Sequence, residues 1–138
     1  MRLMTLWIRY KLFLPAIAWL VVIAVLSGFP GKQGPKISAW QLDKFVHTFM
    51  YLILSLSLCF PFIKQFIDKN NRLILMLKIV FFGIMYGGFM EILQENIFIN
   101  RSGNWYDFFA NALGTIVGVF ILPIILNYLP INRLKRIL

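Results

Sequence analysis

The stretch Trp105–Leu129, WYDFFANALGTIVGVFILPIILNYL, decides the fold. It contains one charged residue, Asp107, and it exceeds the roughly 20 apolar residues that a helix needs to cross a bilayer. A strand of a membrane barrel needs only about 10 residues and alternates apolar with polar positions, which this stretch does not. An open strand would also leave backbone groups unpaired in hydrocarbon. The stretch is therefore predicted to be a transmembrane helix, with a kink at Pro123.

Three further apolar runs have the same character, so the four predicted spans are residues 12–28, 44–67, 73–99 and 105–129. Pro61 is predicted to kink the second span. Composition agrees, because 60% of the 138 residues are apolar and 14% are charged, against about half and a quarter in a soluble domain. The sequence predicts an all-α membrane protein, a bundle of four transmembrane helices forming one domain over residues 1–138.

The first span has an alternative reading as a cleaved signal peptide, since three basic residues precede a short apolar core. Val25, Leu26 and Ser27 make a poor small-residue cleavage site at its end. We therefore expect the segment to be retained as a helix.

The net charge of +9 is distributed unevenly over the predicted topology. Ten of the fourteen basic residues fall on the side that carries both termini and the loop between the second and third spans. Four of the five acids fall on the opposite side. By the positive-inside rule both termini are predicted to be cytoplasmic. The charge then reports topology, and nucleic acid is not an expected partner.

Polar side chains inside the spans form three stripes. Asp43, His47 and Tyr51 are spaced i, i+4, i+8 on the second span. On the third span Glu91, Gln94 and Glu95 share one face, and two glycines one turn deeper, Gly87 and Gly88, permit close helix contact. On the fourth span the stripe is Asp107, Asn111, Gly114 and Gly118. Charged groups within spans are costly and mark functional sites by default, so the stripes are predicted to converge in the outer half of the bundle.

Each polar residue also has a structural reading. Asp43 has the position of a helix cap, Lys44 that of an interfacial anchor, and Asn104 with Asp107 has the spacing of a capping box.

His47 and Tyr51 would alternatively form a structural hydrogen-bonded pair. Arg101 would only neutralise a nearby acid. Glu91 has no cap position in its own helix and is the strongest candidate for a functional role.

The ordered set Asp43-Lys44-x-x-His47-x-x-x-Tyr51, Glu91-x-x-Gln94, Arg101-x5-Asp107 and Asp107-x-x-x-Asn111-x-x-Gly114-x-x-x-Gly118 resembles the VanZ-like family over all four spans. One departure is Thr48, where the family usually has Phe after the His. The resemblance implies a small bacterial inner-membrane protein. Namesake members lower sensitivity to teicoplanin-type glycopeptides, and no established reaction accompanies the family.

Two main functions follow as hypotheses. In the first, an intramembrane enzyme acts on an outer-leaflet lipid or lipid-linked envelope molecule. Its catalytic residues would be Asp43, His47, Glu91 and Asp107, and its substrate-binding residues would be Lys44, Tyr51, Gln94, Arg101 and Asn111. In the second, the same cluster binds or shields an amphiphile, such as a lipophilic glycopeptide, without catalysis.

A small proton-coupled transporter subunit is a third alternative, and it would require oligomerisation. Membrane lipids are the expected partners, with a homo-oligomer left open. No metal or cofactor is predicted, because one His with scattered carboxylates is a generic set. The single cysteine, Cys59, lies in an apolar run and is predicted to be a buried hydrophobic residue.

Overall fold

The computed structural model describes residues 10–28, 38–68, 71–98 and 103–128, with the side chains of 38–41 and 68 set aside. Within these ranges the chain is helical and contains no strand. The elements are α1 (Leu14–Gly28), α2 (Ser38–Cys59), a 3-10 turn (Phe60–Phe62), α3 (Ile63–Asp68), α4 (Arg72–Asn96) and α5 (Trp105–Tyr128). They supply four segments that are long and apolar enough to cross a membrane, namely Tyr10–Gly28, Leu42–Ile67, Arg72–Asn96 and Trp105–Tyr128. The predicted all-α fold with four membrane-spanning helices is confirmed.

The outer surface of the bundle is apolar on all sides. Phe45, Phe81, Ile92 and Phe109 each expose 60% or more of their surface, and they come from three different helices. A helix that is apolar around its whole circumference belongs in a large core or in a membrane. Because this bundle is too thin to bury such helices, the chain is a multi-pass membrane protein.

Consecutive membrane-spanning helices are antiparallel, and the two ends of the bundle carry different charged residues. At one end α3 and the end of α5 meet the start of α4, where Phe66, Met76 and Leu126 belong to one buried cluster. Lys64, Arg72 and Lys78 lie in this half, which we call the basic end. The opposite half carries Asp43, Glu91, Glu95 and Asp107, and we call it the polar end. This segregation matches the charge distribution read from the sequence.

Two glycines bring α2 and α5 into backbone contact. A Cβ atom at Gly114 would collide with the Thr48 carbonyl oxygen, and one at Gly118 would collide with the Ser55 hydroxyl. The two helices can lie this close only because neither glycine carries a side chain. This contact sets the separation of the His47 and Asn111 side chains.

A second pair of close contacts joins α4 to α5. A Cβ at Gly83 would lie 2.5 Å from Thr115 Cγ2, and one at Gly87 would lie 3.1 Å from the Asn111 Cβ. Gly88 has looser surroundings, with the Phe108 ring 3.4 Å from the corresponding position. Of the two glycines proposed from the sequence, Gly87 makes the closer contact. Gly83 was missed, although its i, i+4 spacing to Gly87 is the same signal.

Helix α1 is attached by hydrogen bonds to the other helices. The Trp19 indole N–H donates to the Met50 carbonyl at 2.8 Å, and the Tyr86 hydroxyl donates to the Leu20 carbonyl at 2.7 Å. A segment so bonded to α2 and α4 packs as part of the bundle, while its retention after any processing stays a prediction.

Two proline positions and one helix end refine the predicted boundaries. Pro61 lies in the 3-10 turn between α2 and α3, whereas Pro123 lies inside an uninterrupted α5. A bend at either position stays a prediction. The third span was predicted to reach residue 99, but α4 ends at Asn96, because the N–H groups of Ile97 and Phe98 both bond to the Leu93 carbonyl. The chain leaves the helix there, and the Phe98 ring packs against Gly28.

Candidate functional site

Polar side chains from α2, α4 and α5 meet at the polar end in one connected group. The group, which we call the polar site, consists of Asp43, Lys44, His47, Glu91, Asp107 and Asn111. Asn111 is 1% exposed, Asp107 6%, His47 8% and Glu91 9%. The structure thus brings together six of the nine residues proposed for catalysis or substrate binding.

Lys44 lies between two carboxylates. Its ammonium contacts Asp107 Oδ1 directly and lies 3.2 Å from Asp43 Oδ2. Lys44 and Asp107 are both largely buried, while Asp43 keeps 40% of its side chain exposed. A buried carboxylate is costly without a paired charge, so Lys44 neutralises Asp107. This internal ion pair replaces the sequence reading of Lys44 as an interfacial anchor.

His47, Asn111 and Glu91 form a hydrogen-bonded chain. Asn111 Nδ2 donates to Glu91 Oε1 at 3.1 Å, and Asn111 Oδ1 faces His47 Nδ1 at 2.9 Å. Because the amide donates to Glu91 through its nitrogen, it presents its oxygen to the imidazole, and that oxygen can only accept. Nδ1 of a neutral His47 then carries the proton. Its Nε2 is then unprotonated and lies 3.8 Å from Asp43 Oδ1.

Glu91 also holds the start of α5. Its Oε2 accepts the backbone N–H of Asn104 at 3.1 Å, and the Asn104 side-chain oxygen accepts the N–H of Tyr106 at 3.0 Å. In a capping box the acid three residues after the cap residue would bond the Asn104 N–H. Here Glu91 makes that bond from a neighbouring helix, and Asp107 remains bonded to Lys44. Half of the predicted capping box is present, and Glu91 completes it.

Gln94 and Glu95 lie apart from the polar site. Gln94 is 2% exposed, and its Nε2 bonds to the Ser27 carbonyl at 3.4 Å, so it ties α4 to the end of α1. Glu95 is exposed, and its carboxylate accepts the Gly103 N–H at 2.7 Å. Their positions favour helix and turn attachment over direct contact with a molecule bound by His47.

Tyr51 is buried one turn below His47. It is 1% exposed, and no hydrogen-bond partner for its hydroxyl is present among the described residues. Its ring lies 3.4 Å from the Cβ position of Gly87. The proposed hydrogen-bonded pair of His47 and Tyr51 is therefore wrong. Arg101, the last of the proposed binding residues, lies outside the described residues.

A cavity of about 470 Å³ adjoins the polar site between α4 and α5. Glu91 and Glu95 supply carboxylates to its wall, while Ile92, Trp105 and Phe108 supply apolar surface. Such a mixed lining suits a molecule with a polar head and an apolar body. Glu91 belongs both to this wall and to the buried chain, so it connects the cavity to His47.

Asp43, His47 and Asp107 are also arranged as a cation-ligating group. One ligand atom from each lies within 4.8 Å of the others. In the structure the Lys44 ammonium bonds both carboxylates, and a lysine so placed competes with a metal ion for the same oxygens. The absence of a metal or cofactor stays a prediction.

Comparison of the chain with protein-family models, with curated proteins and with solved structures gives no match in any of the three. The membrane class therefore rests on the four helices, and any assignment of function rests on the geometry of the polar site.

Proposed function

We propose that this protein is a VanZ-like bacterial inner-membrane protein that binds an outer-leaflet lipid or lipid-linked envelope molecule, in some settings a lipophilic glycopeptide, at the polar site. The observation that carries the proposal is the bonded chain from His47 through Asn111 to Glu91, ending in the wall of the mixed cavity. A polar headgroup in that cavity would meet Glu91, while its apolar part would lie against Trp105 and Phe108.

Burying the acids of the polar site is energetically costly. Acids at the centre of a membrane helix cost roughly 2.5–3.5 kcal/mol each on insertion scales. Glu91 and Asp107 are each at least nine-tenths buried, and packing between helices does not require carboxylates. Their presence in a bonded group supports a binding or chemical role.

The proposed side of the membrane follows from charge. Lys64, Arg72 and Lys78 lie in the half opposite the polar site, and the positive-inside rule assigns basic loops to the cytoplasm. The polar site then faces the outer leaflet. Envelope lipids and amphiphilic antibiotics are both present there, which agrees with the VanZ-like resemblance.

The polar site also contains a histidine that could act as a general base, so an enzymatic function remains the second candidate. His47 Nε2 would take a proton from a bound hydroxyl or water, while Asn111 and Glu91 hold the ring and its tautomer. A covalent intermediate on a Thr or Cys side chain is disfavoured among the described residues, because the Thr48 and Thr115 hydroxyls bond to backbone carbonyls and Cys59 lies in the basic half. Phosphoryl and acyl chemistry both remain compatible with this arrangement.

To test the proposal, the wild-type chain and the Glu91→Gln and Asp68→Asn variants are expressed in a susceptible bacterium at matched membrane levels. Asp68→Asn is the control, since it removes an acid at the other end of the bundle. Sensitivity to teicoplanin and the lipids that copurify with each variant are measured together. We expect wild type and Asp68→Asn to reduce sensitivity and retain a shared lipid species, and Glu91→Gln to lose both.

The lipid extracts separate the two hypotheses. A new, chemically altered lipid that is present with wild type and absent with an added His47→Ala variant would establish catalysis, whereas an enriched but unaltered species would establish binding. If Glu91→Gln matches wild type in sensitivity and in lipid content, the polar site is structural and the proposal fails.

A further inference from the structure

A second cavity, of about 750 Å³, lies in the basic half of the bundle. Its walls come from α1, from the region of the 3-10 turn and α3, and from the first half of α4. Most of the lining is apolar, as Ile17, Leu20 and Phe82 illustrate. It shares no lining residue with the polar site or with the cavity beside Glu91.

One end of this groove is polar. Gln65 of α3 and Asn71 at the start of α4 line it, and the exposed Lys78 lines it about 10 Å further along α4. No acid is among the described residues of the lining. A lysine inside a membrane-spanning helix is costly unless its ammonium reaches the interface or an anion. The groove therefore presents two amides at its polar end, a cation about two helical turns further along α4, and hydrocarbon surface along its length.

The length of the groove fits one leaflet. Its deepest α4 lining residue is Phe82, one turn before Tyr86, whose hydroxyl bonds the Leu20 carbonyl and joins α4 to α1. The α4 lining runs from Asn71 to Phe82, which corresponds to about 16 Å along the helix axis. The hydrocarbon core of a bilayer is about 30 Å thick, so one leaflet contributes about 15 Å.

We infer that this groove is a binding site for an anionic phospholipid, with the phosphate at Lys78 and one acyl chain lying between α1 and α4. Charge complementarity selects the occupant, because basic pockets between transmembrane helices bind acidic lipid headgroups. Gln65 and Asn71 add amide donors for phosphate or glycerol oxygens. Lys64 and Arg72 raise the positive potential at the same end without lining the groove.

The headgroup test uses the full chain in lipid nanodiscs with spin-labelled phosphatidylglycerol or spin-labelled phosphatidylcholine. The immobilised fraction of each label is measured for wild type, Lys78→Gln and Lys64→Gln. A single lysine near the membrane surface contributes roughly a fivefold preference for an anionic lipid. We expect wild type and Lys64→Gln to favour phosphatidylglycerol, and Lys78→Gln to lose about fivefold of that preference.

The inference is overturned if wild type immobilises both labels equally, or if Lys64→Gln loses as much preference as Lys78→Gln. Equal immobilisation would show an unselective lipid contact. Equal losses would show diffuse attraction by the whole basic end.

The acyl chain is tested separately with Ile17→Trp, which fills the groove, and Val21→Trp as its control. Ile17 and Val21 are 52% and 57% exposed on the same helix, but only Ile17 lines the groove. We expect Ile17→Trp to abolish the immobilised phosphatidylglycerol signal and Val21→Trp to retain it. Retention of the signal in both variants would place the lipid elsewhere on the surface. If Lys78→Gln and Ile17→Trp lose the phosphatidylglycerol signal but keep the teicoplanin phenotype, the lipid groove is supported and the polar-site proposal is unaffected.

Discussion

Asn111 Oδ1 lies 2.9 Å from His47 Nδ1, and the same amide donates to Glu91 through its nitrogen. One side chain of α5 therefore connects the titratable groups of α2 and α4. The direction of the two bonds leaves His47 Nε2, which lies 3.8 Å from Asp43 Oδ1, as the ring nitrogen that this chain does not engage.

The first prediction concerns the tautomer of His47. With ¹⁵N-labelled histidine, the single imidazole should show a protonated Nδ1 and an unprotonated Nε2 at pH values where the ring is neutral. Asn111→Leu should remove this preference, because the acceptor for the Nδ1 proton is lost. Asn127→Leu serves as the control, since Asn127 is exposed near the other end of α5. A spectrum unchanged by Asn111→Leu would show that another group sets the tautomer.

The second prediction concerns the two oxygens of Glu91. In Glu91→Gln one of them becomes an amide donor, which must face either the Asn104 N–H or the Asn111 amide donor. An unsatisfied buried group costs about 1–3 kcal/mol, so thermal unfolding in detergent should shift clearly to lower temperature. Glu95→Gln should change stability by under about 0.5 kcal/mol, because the exposed amide can still accept from Gly103. Equal shifts for the two variants would contradict the bonding described for Glu91.

The third prediction concerns Lys44. Lys44→Met leaves Asp107 buried without a charge partner and should cost about 3 kcal/mol of stability. Adding Asp107→Leu should recover most of that loss, because the uncompensated carboxylate is removed. The two single variants and the double variant form a thermodynamic cycle that is measured by denaturant unfolding. Additive effects would mean that the two side chains do not interact.

The fourth prediction concerns the contact of α2 with α5. Gly114→Ala places a methyl group against the Thr48 backbone, which cannot rotate away, so the helices must separate at a cost of about 1–3 kcal/mol. Gly88→Ala meets only ordinary ring contacts with Phe108 and should be nearly neutral. A crosslink between cysteines introduced at exposed positions of α2 and α5 would report the separation. Equal stability of the two variants would refute close backbone packing at Gly114.

The fifth prediction concerns topology. A cysteine at position 102, in a chain whose buried Cys59 is replaced by Ala, should react with an impermeant thiol reagent added to intact cells. Tyr128→Cys in the same background should react only after lysis, because Tyr128 is 87% exposed at the opposite end. The reverse labelling pattern would place the polar site on the cytoplasmic side.

The four spans were predictable because hydropathy and helix length act locally along the chain. Convergence of the stripes was also predictable in outline, since His47, Asn111 and Glu91 each lie on a polar face at the same depth. The hydrogen-bond and ion-pair partners of the polar residues were not predictable from the sequence. Residue spacing defines a face of one helix, but it does not define the rotation and axial shift of one helix against another.

Three residues illustrate this limit. Lys44 reaches Asp107 because the glycine contacts bring α2 and α5 together, which no pattern in α2 alone indicates. Gln94 shares the polar face of Glu91 in the sequence, yet it bonds to the end of α1. Tyr51 has a polar group in a suitable register, but its hydroxyl has no hydrogen-bond partner among the described residues.

Glu91 bonds both to a side chain of the bundle interior and to the first backbone N–H ahead of α5. A molecule that displaces one of these two donors releases either the interior amide or that N–H. In the second case, occupancy of the cavity becomes visible as faster hydrogen exchange at Asn104, at the surface of the protein. The exchange rate of the Asn104 N–H, measured from the aqueous side of the membrane, would then report binding at the buried Glu91 carboxylate.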